Sequence, residues 1–306
     1  TNKFESNPKP NFTEFKKNTF FNYSKVLSNS SESNDSNYTI ETKPIITEII
    51  DPNNNPPVRK SQNGYNESLS EVMAKETAGF SGADIKNVIN EAAIYAAREG
   101  RKSVSKQDME RALEKTLVGI VKNKETRTPD TLKRIAIHEM GHAFLASCYP
   151  EYFDVRKATI QNTYSGAGGY TLYSTREEFV DSGLYTKDLL LKQLTVILGG
   201  KAAETVFYGA AYVSNGASQD LKQANDLARQ MIGTFGMGSK LRTFQSQEGI
   251  KYGPKTMETI DWEVHQLINE AYEEAIRKIE ESRIPFEVLV KRLIEKKSLS
   301  GNELIL

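Results

Sequence analysis

Along the first 68 residues apolar side chains come singly or in short clusters among Asn, Ser, Lys and Pro, in runs such as SNSSESNDSN and DPNNNPP. A stretch of this kind buries too little surface to offset its ordering entropy, so residues 1–68 are read as low-complexity and largely disordered. PIITEII (44–50) is a candidate strand or docking segment within it. From Leu69 the texture changes. After SLSEVMAKET, apolar positions recur at Ile85, Val88, Ile89, Ala92, Ala93 and Ala96, which is helical spacing, and Gly100 ends the run. Ser105 then stands as an N-cap with Asp108 in the first turn, followed by a stripe of Met109, Ala112, Leu113 and Leu117. These patterns predict a short-looped helical unit over residues 69–122. A polar stretch containing Pro129 follows, and 123–130 read as a linker.

The patterning from 131 to 306 predicts a second unit. A helix runs from about Pro129 to Ser147, and two strands follow at VRKATIQ (155–161) and GGYTLYS (168–174). Thr186 caps one long apolar helix, KDLLLKQLTVILGGKAAETVFYG, and another helix begins near Ala217. A heptad-like stripe (Ile260, Val264, Leu267, Ile268, Ala271, Ala275, Ile279) marks a long C-terminal helix, and Pro285 starts a last one. The expected fold class is mainly α with a small β-sheet, without internal repeats.

Composition removes several function classes. Lys plus Arg and Asp plus Glu stand at 40 each, so the formal charge is zero and no basic footprint for nucleic acid is present. Cys148 is the only cysteine, which rules out an internal disulfide or a thiolate metal cluster. No stretch approaches 18 consecutive apolar residues, so the chain is expected to lack a transmembrane segment of its own and to be soluble.

The chemistry concentrates in HEMGH, residues 138–142. On a helix, His138 and His142 lie about 40° apart on one face and one turn from each other, so both imidazoles can reach one zinc ion. Glu139 is turned about 100° from His138, too far to share the ion, but it can take a proton from water at the open position. Gly141 leaves room for neighbouring structure. Two of the three histidines in the chain form this pair inside an apolar helix (Leu132, Ile135, Met140, Phe144), where a metal would satisfy both rings. The third, His265, lies on a polar helix face and reads as a surface residue. Glu204 in GGKAAE and Asp220 in GASQDLKQA are the acidic candidates for a third ligand, and spacing does not choose between them.

Several collinear blocks resemble FtsH-type AAA metalloproteases. GFSGADIKNVINEAAIYAAREGRKSVSKQDMERALEKTLVG (79–119) is similar to the helical lid of their ATPase module. IAIHEMGHAFLA, GAGGYTLY, LLKQLTVILGGKAAE, SNGASQDLKQANDLARQMIGTFGM and IDWEVHQLINEAYEEA are similar to their peptidase domain, together covering the chain from about Leu69 almost to its end. The resemblance implies an AAA helical lid followed by a zinc metallopeptidase domain over 131–306. It implies His138, His142 and Asp220 as zinc ligands, Glu139 as the base, and Glu204 close to the site without being a ligand. It also implies an edge strand within ATIQNTYSGAGGYTLY that takes extended polypeptide by β-addition.

Its further implications are polypeptide substrates, homo- or hetero-hexamers with FtsH-like subunits, and association with a bacterial, mitochondrial or plastid membrane. Gly82 and Ala83, in GFSGAD, would lie near a nucleotide in an intact module. The 306 residues contain no G-x-x-x-x-G-K-[ST], so ATP is not expected to bind this chain usefully. The expectation is a zinc-dependent endopeptidase without its own P-loop motor. The alternatives are a non-catalytic assembly subunit of a protease ring, or a piece of a longer product whose ATPase part lies elsewhere.

Overall fold

The computed structural model describes residues 69–304, apart from 78–79, 123, 165 and 247–249. The segment read as low-complexity, residues 1–68, and the candidate strand at 44–50 lie outside the described residues. The described residues form two units, one ending at Gly119 and the other beginning at Ile120.

The first unit contains α1 (Leu69–Glu76), α2 (Gly82–Arg98) and α3 (Lys106–Val118). Two capping boxes start its longer helices: the Ser81 hydroxyl accepts from Asp84 N–H while Asp84 accepts from Ser81 N–H, and Ser105 and Asp108 repeat the arrangement. Met73, Val88, Ala92, Ala112 and Leu113 close its small core. Asp108 is 1% exposed. It also accepts from both terminal nitrogens of Arg101, at 2.6 and 2.7 Å, so the α2–α3 turn is held by a charged pair as well as by packing.

In the second unit the helix carrying HEMGH is central. Thr128 accepts from Thr131 N–H, Pro129 occupies the first turn, and α4 runs Pro129–Ser147 as expected. From Ala136 to Ala146 every residue of α4 is buried, the mark of a helix enclosed on all sides. A sheet of order β2–β1–β3 packs on it, with β1 (Phe153–Thr159) antiparallel to β2 (Tyr170–Thr175) and to β3 (Ser298–Ser300). Ala158 pairs with both Thr171 and Leu299. The third strand was not expected, because three residues carry no readable alternation. Both predicted strands are displaced by about two residues, β1 starting earlier and β2 later. Arg127, just before α4, donates to Ile160 O at 2.6 Å and to Gly168 O, fastening the two ends of the β1–β2 connection to the helix start.

The remaining elements are α5 (Glu177–Ser182), α6 (Lys187–Ile197), α7 (Gly199–Tyr208), α8 (Ser218–Gly233), α9 (Pro254–Glu281), α10 (Arg283–Lys296) and α11 (Gly301–Leu304). The single helix expected after Thr186 is two helices, interrupted at Leu198. The reason is tertiary. Gly199 lies so close to Gly141 that a Cβ on either glycine would overlap the other's backbone, and α4 crosses α7 at this bare contact. The predicted stripe of α9 is buried at Ile260, Val264, Leu267, Ala271, Ala275 and Ile279. It joins Leu190 and Leu194 of α6 and Met231 of α8 in one core, while Ala275 and Ile279 reach Phe144, Phe153 and Phe286 in a second. The last long helix begins two residues before Pro285, which therefore sits inside its first turn, where a missing N–H is harmless. Among the described residues no helix is long and apolar enough to cross a membrane.

Candidate metal centre

His138 and His142 project from one face of α4, and their Nε2 atoms stand 3.3 Å apart. Asp220 enters from the first turn of α8, which brings its Oδ2 to 3.3 Å from His138 Nε2 and 3.5 Å from His142 Nε2. All three side chains are buried, at 5%, 3% and 3% exposure. The opposite nitrogen of each ring is already committed. His142 Nδ1 lies 2.8 Å from the Val196 carbonyl, which can only accept, and His138 Nδ1 lies 3.1 Å from Glu204 Oε1. Those partners place the proton of each neutral ring on Nδ1 and leave both Nε2 atoms as bare lone pairs.

Three acceptors therefore converge on one small volume, and Asp220 Oδ2 receives no hydrogen bond there. A divalent cation resolves that conflict. A tetrahedral zinc with bonds of about 2.0–2.1 Å separates its donor atoms by about 3.3–3.4 Å, and the three observed separations lie within about 0.2 Å of this. Without a cation the charges favour a trapped proton instead. Burial opposes a charge on His138, but the Asp220 and Glu204 carboxylates outweigh it and push its pKa up to about 10. Burial likewise raises Asp220, yet the two imidazoles beside it hold it below the usual carboxylate range.

Glu204, one of the two acidic candidates, is not among the converging atoms. It is 1% exposed and supports His138 from behind. Its other partners are Arg134 Nη1 at 2.8 Å, Ser214 N–H at 2.9 Å and the Ser214 hydroxyl at 2.8 Å. Burial alone would raise its pKa; His138, Ser214 and Arg134 together bring it down to about 2, so it is an anion under all ordinary conditions. The Arg134 guanidinium in turn lies over the Tyr208 ring, 4.0 Å from its centroid. Spacing left Glu204 open as a third ligand, and the family resemblance implied that it lies close to the site without ligating, which is the place it takes here.

Glu139 is 1% exposed, and its carboxylate reaches the sheet. The Thr171 hydroxyl of β2 lies 3.0 Å from its Oε2 and 2.9 Å from its main-chain oxygen. Thr171, Val196 and Gly200 were all missed as site residues. Gly200 abuts the His138 ring, which a Cβ would overlap. Each of these contacts joins segments distant in sequence, and the only local signals were the paired glycines of LGGK and a buried threonine in GGYTLY. His265 is exposed, as expected. Gly82 and Ala83 lie in the first unit, in the exposed first turn of α2.

The model of peptidase family M41 matches residues 124–305, and that of the AAA+ lid domain matches residues 68–111. An ATP-dependent zinc metalloprotease FtsH 3 of Petrotoga mobilis is 35% identical over 247 residues, covering 76% of this chain and 38% of the relative. The chloroplastic ATP-dependent zinc metalloprotease FTSH 1 of Oryza sativa is 36% identical, with 76% and 36% covered. An ATP-dependent zinc metalloprotease FtsH 3 of Synechocystis is 34% identical, with 76% and 40% covered. The chain thus spans little more than a third of the length of these relatives.

Proposed function

The chain belongs to peptidase family M41, and from that premise we propose that it is a zinc-dependent endopeptidase of FtsH type acting on unfolded or partner-delivered polypeptide. The observation that carries this reading is the convergence of three lone-pair atoms, from His138, His142 and Asp220, beside a buried glutamate. In this assignment those three residues hold the ion and Glu139 is the base. Zinc, when bound, supplies a Lewis acid for the peptide carbonyl and lowers the pKa of water towards about 7.

The protein groups do the rest. Glu139 accepts a proton from the water as its oxygen bonds to the carbonyl carbon, then gives that proton to the amine nitrogen as the C–N bond breaks. Glu204 and the Val196 carbonyl keep the two rings in the tautomer that ligation needs. An extended substrate adds to β2, which ends the order β2–β1–β3, so recognition runs through main-chain hydrogen bonds and tolerates many sequences. Residues 69–122 serve as the lid-like part, 123–130 as the linker and 131–306 as the peptidase part. No P-loop lies within the 306 residues, so we assign unfolding of folded substrates to ATPase modules outside them, with hexameric assembly alongside FtsH-like subunits.

Zinc content and cleavage of a permanently unfolded protein, measured together, test the assignment. The unaltered chain should bind one equivalent and cleave, Glu139→Gln should bind zinc without cleaving, and Asp220→Ala should lose the zinc. Cleavage by a clean Glu139→Gln preparation sinks the assigned base. A chain that holds zinc, cleaves nothing and co-purifies with ATPase-bearing partners is instead an assembly subunit.

A further inference from the structure

The Thr171 hydroxyl is fully buried on β2 and has both its neighbours on one residue of α4, the Glu139 carboxylate at 3.0 Å and the Glu139 main-chain oxygen at 2.9 Å. Register places it opposite Ala158 on the inner strand β1, so its position is set by the sheet ladder and not by a mobile loop. Alternation along β2 puts Thr171, Tyr173 and Thr175 on one face, and Tyr173 is packed into the core that α4 forms. From the other side, a Cβ on Gly169 would come within 2.9 Å of Glu139 Cγ, so the glycine lets the glutamate stem lie against the sheet. The stem is thereby pinned, and the Thr171 hydroxyl donates to the carboxylate. We propose that Thr171 is a positioning residue for Glu139, holding its carboxylate in an orientation from which it can take a proton from water. This rests on the reading of Glu139 as the base.

The chemistry of a hydroxyl suits the task. It carries one hydrogen and two lone pairs. While Glu139 is ionised, the hydroxyl donates to Oε2. Once Glu139 holds a proton, the same hydroxyl can donate to the Glu139 main-chain oxygen and accept from the carboxylic acid, so the carboxyl group is oriented before and after transfer. A valine at this position has nearly the same shape and neither capacity. A serine has both, without the methyl.

The test compares Thr171→Val, Thr171→Ala and Thr171→Ser in the full chain. Zinc content, kcat and KM on an unfolded protein are measured, with Glu139→Gln as the inactive reference. The expected result is full zinc content and unchanged KM in all three. In the valine and alanine variants kcat falls about 10–100-fold, the range found when a supporting hydrogen bond is lost, and serine restores most of it. Equal losses in valine and serine, a loss of zinc, or failure of valine and alanine to fold would assign Thr171 to strand packing instead. An undiminished kcat in the valine variant also overturns the proposal.

A readout independent of turnover is a crystal structure of the zinc-loaded Thr171→Val chain. The Glu139 carboxylate should be turned out of its present place or split between orientations, and an unchanged carboxylate refutes the positioning role. If the unaltered chain cleaves nothing, the endopeptidase reading fails on that result, while the crystal comparison still decides what Thr171 does.

Discussion

At the residue scale the candidate centre depends on how little space surrounds its converging side chains. HEMGH was legible because helix geometry alone puts two imidazoles on one face and turns the glutamate off it. Asp220 needed a family resemblance, since the approach of the α8 first turn to α4 is a tertiary fact. Glu204 and Thr171 were illegible in role for the same reason: what each touches lies tens of residues away, and no local period encodes it. Gly200 carries the sharpest expectation. Its missing side chain is where the His138 ring rests, so Gly200→Ala forces the imidazole to move or turn. Displacing the ring also strains its bond to Glu204, and loss of such support lowers metal affinity about 10–100-fold. Competition titration against a zinc chelator measures this directly, and an affinity equal to that of the unaltered chain would show that the ring has room to spare.

At the scale of elements, the sequence periods located the longer helices but not their interruptions, nor the short helices Glu177–Ser182 and Gly301–Leu304. One apolar run after Thr186 reads as a single helix, yet the approach of α4 to α7 through Gly141 and Gly199 divides it at Leu198. The break lies two residues beyond Val196, whose carbonyl takes the His142 Nδ1 proton, so the packing that splits the helix also serves the site. Gly199→Ala should therefore cost about 1–3 kcal/mol or more from overpacking, because the obstacle is backbone that cannot rotate away. Urea unfolding reads this as a lower midpoint at unchanged slope.

The turn before α3 has a different vulnerability. Arg101 first, then the Ser105 hydroxyl and N–H, hold Asp108 well below the ordinary carboxylate pKa against the opposing effect of burial. A depressed folded-state pKa stabilises above the unfolded value of about 3.9, and that contribution disappears as pH falls through the folded value. Amide-exchange protection of α3 should decline on acidification below about pH 4, and the Asp108→Asn variant should lack that acid-dependent part. A decline of the same size in the variant would place its origin elsewhere.

At the scale of the whole molecule, the order of a short helical unit followed by a larger helical unit with a small sheet could be read from texture alone. The completion of the sheet by Ser298–Ser300 could not, because β3 is short and pairs with a strand almost 140 residues earlier. That long-range pairing brings the C-terminal end back onto the sheet that packs on α4. The candidate metal centre, once it holds an ion, would add a second long-range tie, joining α4 to α8 through three buried side chains, all within the second unit. A ligand that binds only the folded state stabilises it by about 2.7 kcal/mol at a hundredfold excess over Kd. For a domain of this size that corresponds to roughly 5–10 °C in Tm. Chelation should lower the Tm of the second unit by this much, and zinc should restore it. The helical unit has its own core of Met73, Val88, Ala92, Ala112 and Leu113 and none of the three converging residues. Amide-exchange protection in α2 and α3 should therefore survive chelation while protection in α4 and α8 falls. Uniform loss across both units would mean that the ion stabilises the molecule by a route other than the tie between α4 and α8.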